Sequence, residues 1–150
     1  MRATALLKAI DKRGRGRQLA ALPLRQGGGE TLVLLVTSRD TGRWVLPKGW
    51  AEKGLTGPEL VAKEAIEEAG AVGEVAAKPV GSYSYMKLLP HGRSVDCKVR
   101  VFAMRVDRLL DDWPERGQRQ RQWFTLAQAA MAVDDGELVT LLLRLAAPRS

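Results

Sequence analysis

One hundred and fifty residues, 45% apolar and 27% charged, make a single globular domain large enough to bury a proper core. One cysteine, Cys97, excludes an internal disulfide framework, and no apolar run approaches the roughly 18 residues of a membrane span. The net charge of +7, with a pI near 10.0, points to polyanionic partners. The start of the chain lacks the apolar core and small-residue cleavage site of a secretory signal, so the expected location is the cytoplasm, with no membrane partner.

Residues 1–16 form a basic segment that is expected to stand apart, as a flexible tail, from one domain spanning 17–150. Residues 1–25 hold seven Arg or Lys against one acid, Asp11, a net charge of +6. The runs 18–25 (QLAALPLR) and 30–37 (ETLVLLVT) read as strands joined by a glycine-rich hairpin turn at 26–29. A loop at 38–43 leads to a short apolar strand at 44–47 and then to a turn. Pro58 suits the first turn of a helix that Gly70 closes. Beyond it, 80–89 and 95–106 read as an antiparallel pair around a turn at 90–93, where His91 is an exposed loop residue. Cys97, in the second of these strands, is a small packed hydrophobe. Trp123 and Phe124 begin another short strand, and Thr125 caps a helix over 126–133. Asp134 or Asp135 caps the last helix, whose Leu138, Leu141, Leu142 and Leu145 form one apolar stripe. Nothing in the pattern specifies an oligomeric state.

The helix that ends at Gly70 carries Glu64, Glu67 and Glu68, which spacings of three and four place within about 100° of one face. Ala62, Ala65, Ile66 and Ala69 are expected on the opposite face. Like charges at that spacing cost a few tenths of a kcal/mol per pair. A hard divalent cation reverses the cost, because Mg²⁺ takes oxygen ligands and completes its octahedron with substrate phosphates. Residues 49–71 carry a net charge of −3 inside a chain whose remainder is +10. An acidic metal face in a basic surround suits a phosphate-rich substrate.

Gly49, Glu64, Glu67, Glu68 and Gly70, with Ala65 and Ala71 at the apolar positions, fall in register with the box of the Nudix hydrolases, which this chain resembles. Two positions depart: Leu55 stands where the family has Glu, and Lys63 where it has Arg. Lys63 is a point charge on a flexible stem where Arg presents a bidentate fork, so a less rigid metal face is expected, with Glu52 partly replacing the missing loop carboxylate. Ser38-Arg39 ahead of Trp44, the run Asp111-Asp112-Trp113-Pro114-Glu115, and Arg119, Arg121 and Trp123-Phe124 resemble the branch that cleaves diphosphoinositol polyphosphates and diadenosine polyphosphates. That branch has a glycine run where this chain has Pro47-Lys48-Gly49-Trp50, a sequence similar to bacterial dinucleotide-polyphosphate hydrolases.

The resemblance implies an α/β/α sandwich with a mixed sheet between helices, and cleavage of a phosphoanhydride with Mg²⁺ or Mn²⁺. It implies Glu64, Glu67, Glu68 and the Gly49 carbonyl as metal ligands, and Glu67 or Glu64 as general base. Glu115 and Glu52 are further candidates for a ligand or base. Arg39 and Arg119 are the leading phosphate-binding side chains, followed by Arg121, Arg17, Arg25, Lys48 and Ser38, with Trp50 positioned to stack on a base. The expected substrate is a dinucleoside polyphosphate or a similar highly phosphorylated small molecule. An RNA 5′-pyrophosphohydrolase, favoured by the basic first segment, and a non-catalytic nucleotide- or nucleic-acid-binding module, favoured by Leu55 and Lys63, are the alternatives.

Overall fold

In the computed structural model, which describes residues 9–11 and 14–148, the first two apolar runs become β1 (Gly16–Gly27) and β2 (Glu30–Thr37). Gly28 and Gly29 turn the chain between them with φ of 62° and 80°, the pair of positive angles that a two-residue hairpin loop requires and glycine supplies. The chain continues through β3 (Trp44–Val45), β4 (Lys48–Trp50), α1 (Gly57–Ala69), β5 (Ala71–Val75), β6 (Gly81–Leu88) and β7 (Ser94–Leu109). It ends with β8 (Arg121–Thr125), α2 (Leu126–Ala132) and α3 (Gly136–Ala146).

The strands form one mixed sheet in which β1 and β7 run parallel, in register from Gly16 opposite Cys97 to Leu24 opposite Arg105. All other pairings are antiparallel. Strand alternation divides the core into two layers. Ala20, Leu22, Val33, Leu35, Val99 and Val101 pack with Leu138, Leu141 and Leu142 on the side of α2 and α3. Ala21, Leu34, Val36, Phe102 and Met104 pack with Val61, Ala65 and Ala69 of α1 on the other. The result is an α/β/α sandwich. No helix among the described residues is long and apolar enough to cross a membrane.

Two local features differ from the sequence reading, and two others add detail to it. The strand expected at 44–47 stops at Val45, and a second short strand begins at Lys48. β3 pairs with β2, whereas β4 pairs with the first half of β1, where β2 does not reach. Between them Pro47 has no amide hydrogen to give a ladder, and its carbonyl accepts from Ala21 at 2.9 Å. β5 has no counterpart in the reading: its AVGEV run has no clear period, and Gly73 sits at a bulge where a Cβ would lie 1.9 Å from the Arg105 carbonyl oxygen. The turn at 90–93 holds a short 3₁₀ turn, with His91 exposed and left-handed at φ 70°. Of the basic segment 1–16, residues 1–8 and 12–13 lie outside the described residues. Ala9 is fully buried, Ile10 bridges Gly16, and the Arg17 amide donates to Ala9 O at 2.7 Å.

Side-chain caps fix the N-terminal ends of α1 and α2. Thr56 Oγ1 accepts from the Glu59 amide at 3.2 Å while Glu59 Oε1 accepts from the Thr56 amide at 2.9 Å, a closed capping box at the start of α1. Thr125 and Gln128 repeat it at α2. Asp135 occupies the cap position of α3 without a side-chain capping bond. Thr56→Ala should therefore lower stability by about 1 kcal/mol, seen as a lower urea midpoint at unchanged slope. Asp135→Ala should cost about half of that or less, and equal losses would contradict the capping assignment.

Candidate active site

The acids of α1 do not form a solvated face opposite an apolar one. Leu60, Val61, Ala65, Glu68 and Ala69 are the buried residues of the helix, while Ala62 and Ile66 are half-buried. Glu68 is 7% exposed. The correction has a plain cause: α1 crosses the end of β4, so the side that meets the sheet is apolar at Ala65 and Ala69 but meets strand backbone at Glu64 and Glu68. The Lys48 amide donates to Glu68 Oε1 at 3.2 Å. Glu64 lies against Gly49, where a Cβ would stand 2.5 Å from its carboxyl group, so a side chain there would displace that carboxyl.

Glu64 and Glu68 are near enough to share a hydrogen bond. Burial first, then the negative charges of Glu68 and Glu67, push the Glu64 carboxyl up to about 8. Burial also raises Glu68, against the opposing pull of Arg119 and Lys48. Arg119 is itself nearly buried. Its Nε donates to Glu115 Oε1 at 2.7 Å, one terminal nitrogen donates to Thr37 O at 2.9 Å, and the other lies 3.5 Å from Glu68 Oε2. Glu115 in turn sends its amide to Glu67 O at 3.0 Å. The Glu67 side chain is half-buried and accepts no hydrogen bond among the described residues.

Other residues singled out from the sequence are placed unevenly. Arg39 is exposed, donates to Gln118 Oε1 at 3.0 Å and lies 3.9 Å from Glu115, next to the acids. Ser38 shapes the loop that carries it, donating its amide to Arg43 O at 2.7 Å. Lys48 presents its backbone to Glu68, while its ammonium turns to the Tyr85 ring, 5.3 Å away. Burial lowers that ammonium to about 8. The Trp50 ring packs over Gly16, where it would meet a Cβ at 2.7 Å beside the Cys97 sulfur, and does not face the acids. Arg121 is not presented to a ligand: it donates to Ala69 O and Leu110 O at 2.9 and 2.8 Å. Arg25 stacks over Trp123 at 4.3 Å. It stands six residues along β1 from Leu19, the partner of Gly49, or about 20 Å away, and takes no part in the site. Glu52 pairs with Lys63 at 3.4 Å, so Lys63 ties down the loop before α1, and its charge also acts on Glu64 and Glu67.

Two cations went unnoticed in the sequence. Lys98 and Arg100 are exposed on β7, on the face that α1 covers further along, in register with Arg17 and Leu19. The alternation of Val95, Cys97, Val99 and Val101 with Asp96, Lys98 and Arg100 carried that signal. Arg17, Ala51, Glu52 and Lys53 line a cleft on the same side.

A model of the NUDIX domain matches residues 14–142, and the chain belongs to the Nudix family. Nudix hydrolase 12, mitochondrial, from Arabidopsis thaliana is 37% identical over 103 residues, covering 65% of this chain and 49% of that protein. The chain thus spans about half the length of such relatives. Diphosphoinositol polyphosphate phosphohydrolase 3-alpha from Mus musculus is 27% identical over 124 residues, 81% of this chain and 71% of that one. The fold is shared with a C. elegans Ap4A hydrolase in a binary complex, at a TM-score of 0.64 and 18% identity, over 86% of this chain and 93% of that one.

Enzymes of this family generally use divalent metal ions, and the residues present fit one. Burial raises both Glu64 and Glu68, and the charge of Glu68 raises Glu64 further, while the glycine at 49 leaves the Glu64 carboxyl the space that a side chain would fill. The crowding that draws a proton draws a cation equally. All three box acids do not converge: among the described residues, no three His, Cys, Asp or Glu side chains stand together at ligand distances.

The raised Glu64 has a consequence for stability. Between its ordinary 4.5 and about 8 the folded chain keeps a proton that the unfolded chain has released, so stability falls as pH rises through that window. Metal-free protein should show a urea midpoint that declines from about pH 5 to about pH 8, and Glu64→Gln should lessen the decline, with the raised Glu68 supplying part of what remains. An equal slope in both proteins would place the titrating group elsewhere.

Proposed function

We propose that the protein is a metal-dependent phosphoanhydride hydrolase acting on a dinucleoside polyphosphate or a similarly phosphorylated small molecule, of the diphosphoinositol polyphosphate kind. The observation that carries this reading is the Glu64–Glu68 pair packed against Gly49, with Arg39 exposed beside Glu115 and Arg17, Lys98 and Arg100 along the neighbouring strands. The relative that acts on diphosphoinositol polyphosphates and the fold-mate that acts on Ap4A support the substrate class. A cytoplasmic setting fits a chain with one buried, free cysteine.

Mg²⁺ or Mn²⁺, held by Glu64, Glu68 and the Gly49 backbone, would neutralise phosphate oxygens and lower the pKa of a bound water. The chain's own residues supply the rest. Glu67, whose carboxylate no donor among the described residues engages, takes the proton of the attacking water as general base. Arg39, half in solvent, meets the phosphate chain, and Arg17, Lys98 and Arg100 steer it. Arg119 has each guanidinium nitrogen turned to a protein oxygen, so it orders Glu68 and Glu115.

A panel of diadenosine polyphosphates, inositol pyrophosphates, ADP-ribose and triphosphorylated RNA, assayed with Mg²⁺ and with Mn²⁺, tests this reading. Turnover should be greatest on the long polyphosphates, and Glu67→Gln should lower kcat by about 10²–10⁴. Preference for triphosphorylated RNA would replace the small-molecule reading, and tight binding without turnover would make the protein a binding module. Arg39→Ala should raise KM by about tenfold for a long polyphosphate, the loss of one charge-assisted hydrogen bond, and less for ADP-ribose. Uniform losses that added salt erases would leave Arg39 only a steering role.

A further inference from the structure

An α-helix leaves its last four carbonyls without partners inside the helix, and in α1 these are Ile66, Glu67, Glu68 and Ala69. Gly70, left-handed at φ 63°, returns its amide to Ile66 O at 3.0 Å. The other three carbonyls are met by the 110–120 loop and the first residue of β8. The Glu115 amide donates to Glu67 O at 3.0 Å, Trp113 Nε1 to Glu68 O at 3.2 Å, and Arg121 to Ala69 O at 2.9 Å. The Arg121 guanidinium lies 3.8 Å over the Trp113 ring, and its second terminal nitrogen ties back to Leu110 O at 2.8 Å. The Leu110 amide closes the circuit on Gly70 O at 2.8 Å. The fit is close, since a Cβ on Gly70 would stand 2.8 Å from both Arg121 and the Trp113 ring.

Two of the three clamped carbonyls belong to the residues whose side chains carry the chemistry. Anionic side chains in a last helical turn also oppose the helix dipole, and a fixed cation at the carbonyl end offsets that cost. A segment that bonds each carbonyl in turn sets both the rotation and the depth of Glu67 and Glu68. We propose that Arg121, stacked on Trp113, is a positioning residue that holds the acidic turn of α1 in register for metal and water, a role that rests on the hydrolase reading above. Arg121 touches neither substrate nor reacting atoms. It acts through the backbone of the residues that do.

The test uses full-length Arg121→Ala, Arg121→Lys and Trp113→Phe, each compared with wild type in three measurements: urea unfolding, Mn²⁺ affinity by calorimetry without substrate, and kcat and KM on whichever substrate wild type turns over best. Arg121→Ala should weaken Mn²⁺ binding at least fivefold and lower kcat at least tenfold, with KM within twofold. Trp113→Phe, which keeps a ring for the guanidinium but gives up the Nε1–H, should shift both in the same direction by less. Arg121→Lys, a point donor in place of a fork, should recover part of the loss. If Arg121→Ala does not fold, Arg121→Lys is judged by the same pattern of metal and kcat loss at constant KM. Variants that lose stability yet keep Mn²⁺ affinity and kcat within twofold of wild type overturn the inference, because the clamp would then be structural alone. Wild type that binds Mn²⁺ but turns over nothing would sink the hydrolase reading instead, and the calorimetric comparison would still decide for or against the clamp.

Discussion

Glu64 and Glu68 stand one helical turn apart and are pressed between α1 and the backbone of β4, in a space that admits little water. On an exposed helix such a pair would cost only a few tenths of a kcal/mol. Partly desolvated, the repulsion grows, and the groups respond by holding a proton or a cation. Much of the surrounding structure serves to keep them there. The capping box at Thr56 starts the helix at a defined residue, Gly49 lets the carboxyl of Glu64 reach strand backbone, the Lys48 amide holds one oxygen of Glu68, and Arg119 sits by the other. The 110–120 loop and the first residue of β8 close the far end.

One departure from the family's box, Lys63 in place of Arg, is accompanied by a guanidinium from elsewhere in the fold. Lys63 pairs with Glu52 at 3.4 Å across two exposed side chains, a contact worth about 0–1 kcal/mol that steadies the loop ahead of α1. The rigid guanidinium that Lys63 cannot provide comes from Arg119, more than fifty residues later, which joins Glu115 and Glu68 from a nearly buried position. In this chain a guanidinium from the packing loop orders Glu68 and Glu115.

How much of this was legible in the chain depended on range. Patterns fixed by neighbours a few residues apart read correctly: the apolar run at Glu30–Thr37, the glycine turn before it, the Thr125 cap and the leucine stripe of α3. The acids of α1 were found by their spacing, but the side they face depends on where β4 ends, and nothing within the helix encodes that. β5 was missed because its pairing with β7 comes from a distant strand and its own residues are small. Arginines were the hardest to assign. Arg25, Arg119 and Arg121 look alike in sequence, yet one lies over Trp123, one bridges two acids and one caps a helix. A long flexible side chain takes its role from whatever oxygen or ring the fold brings near.

If the crowded carboxylates are a cation site, the folded chain should bind Mn²⁺ and the unfolded chain should not, and binding must then raise stability. Thermal unfolding at about pH 8 with increasing Mn²⁺ measures this without assuming a substrate. Saturable stabilisation of about 2.7 kcal/mol at a hundredfold excess over Kd, seen as a rise of roughly 5 °C or more, is the predicted result, with most of the rise lost in Glu68→Gln. An unfolding midpoint that Mn²⁺ leaves unchanged, or raises equally in Glu68→Gln, would contradict the account.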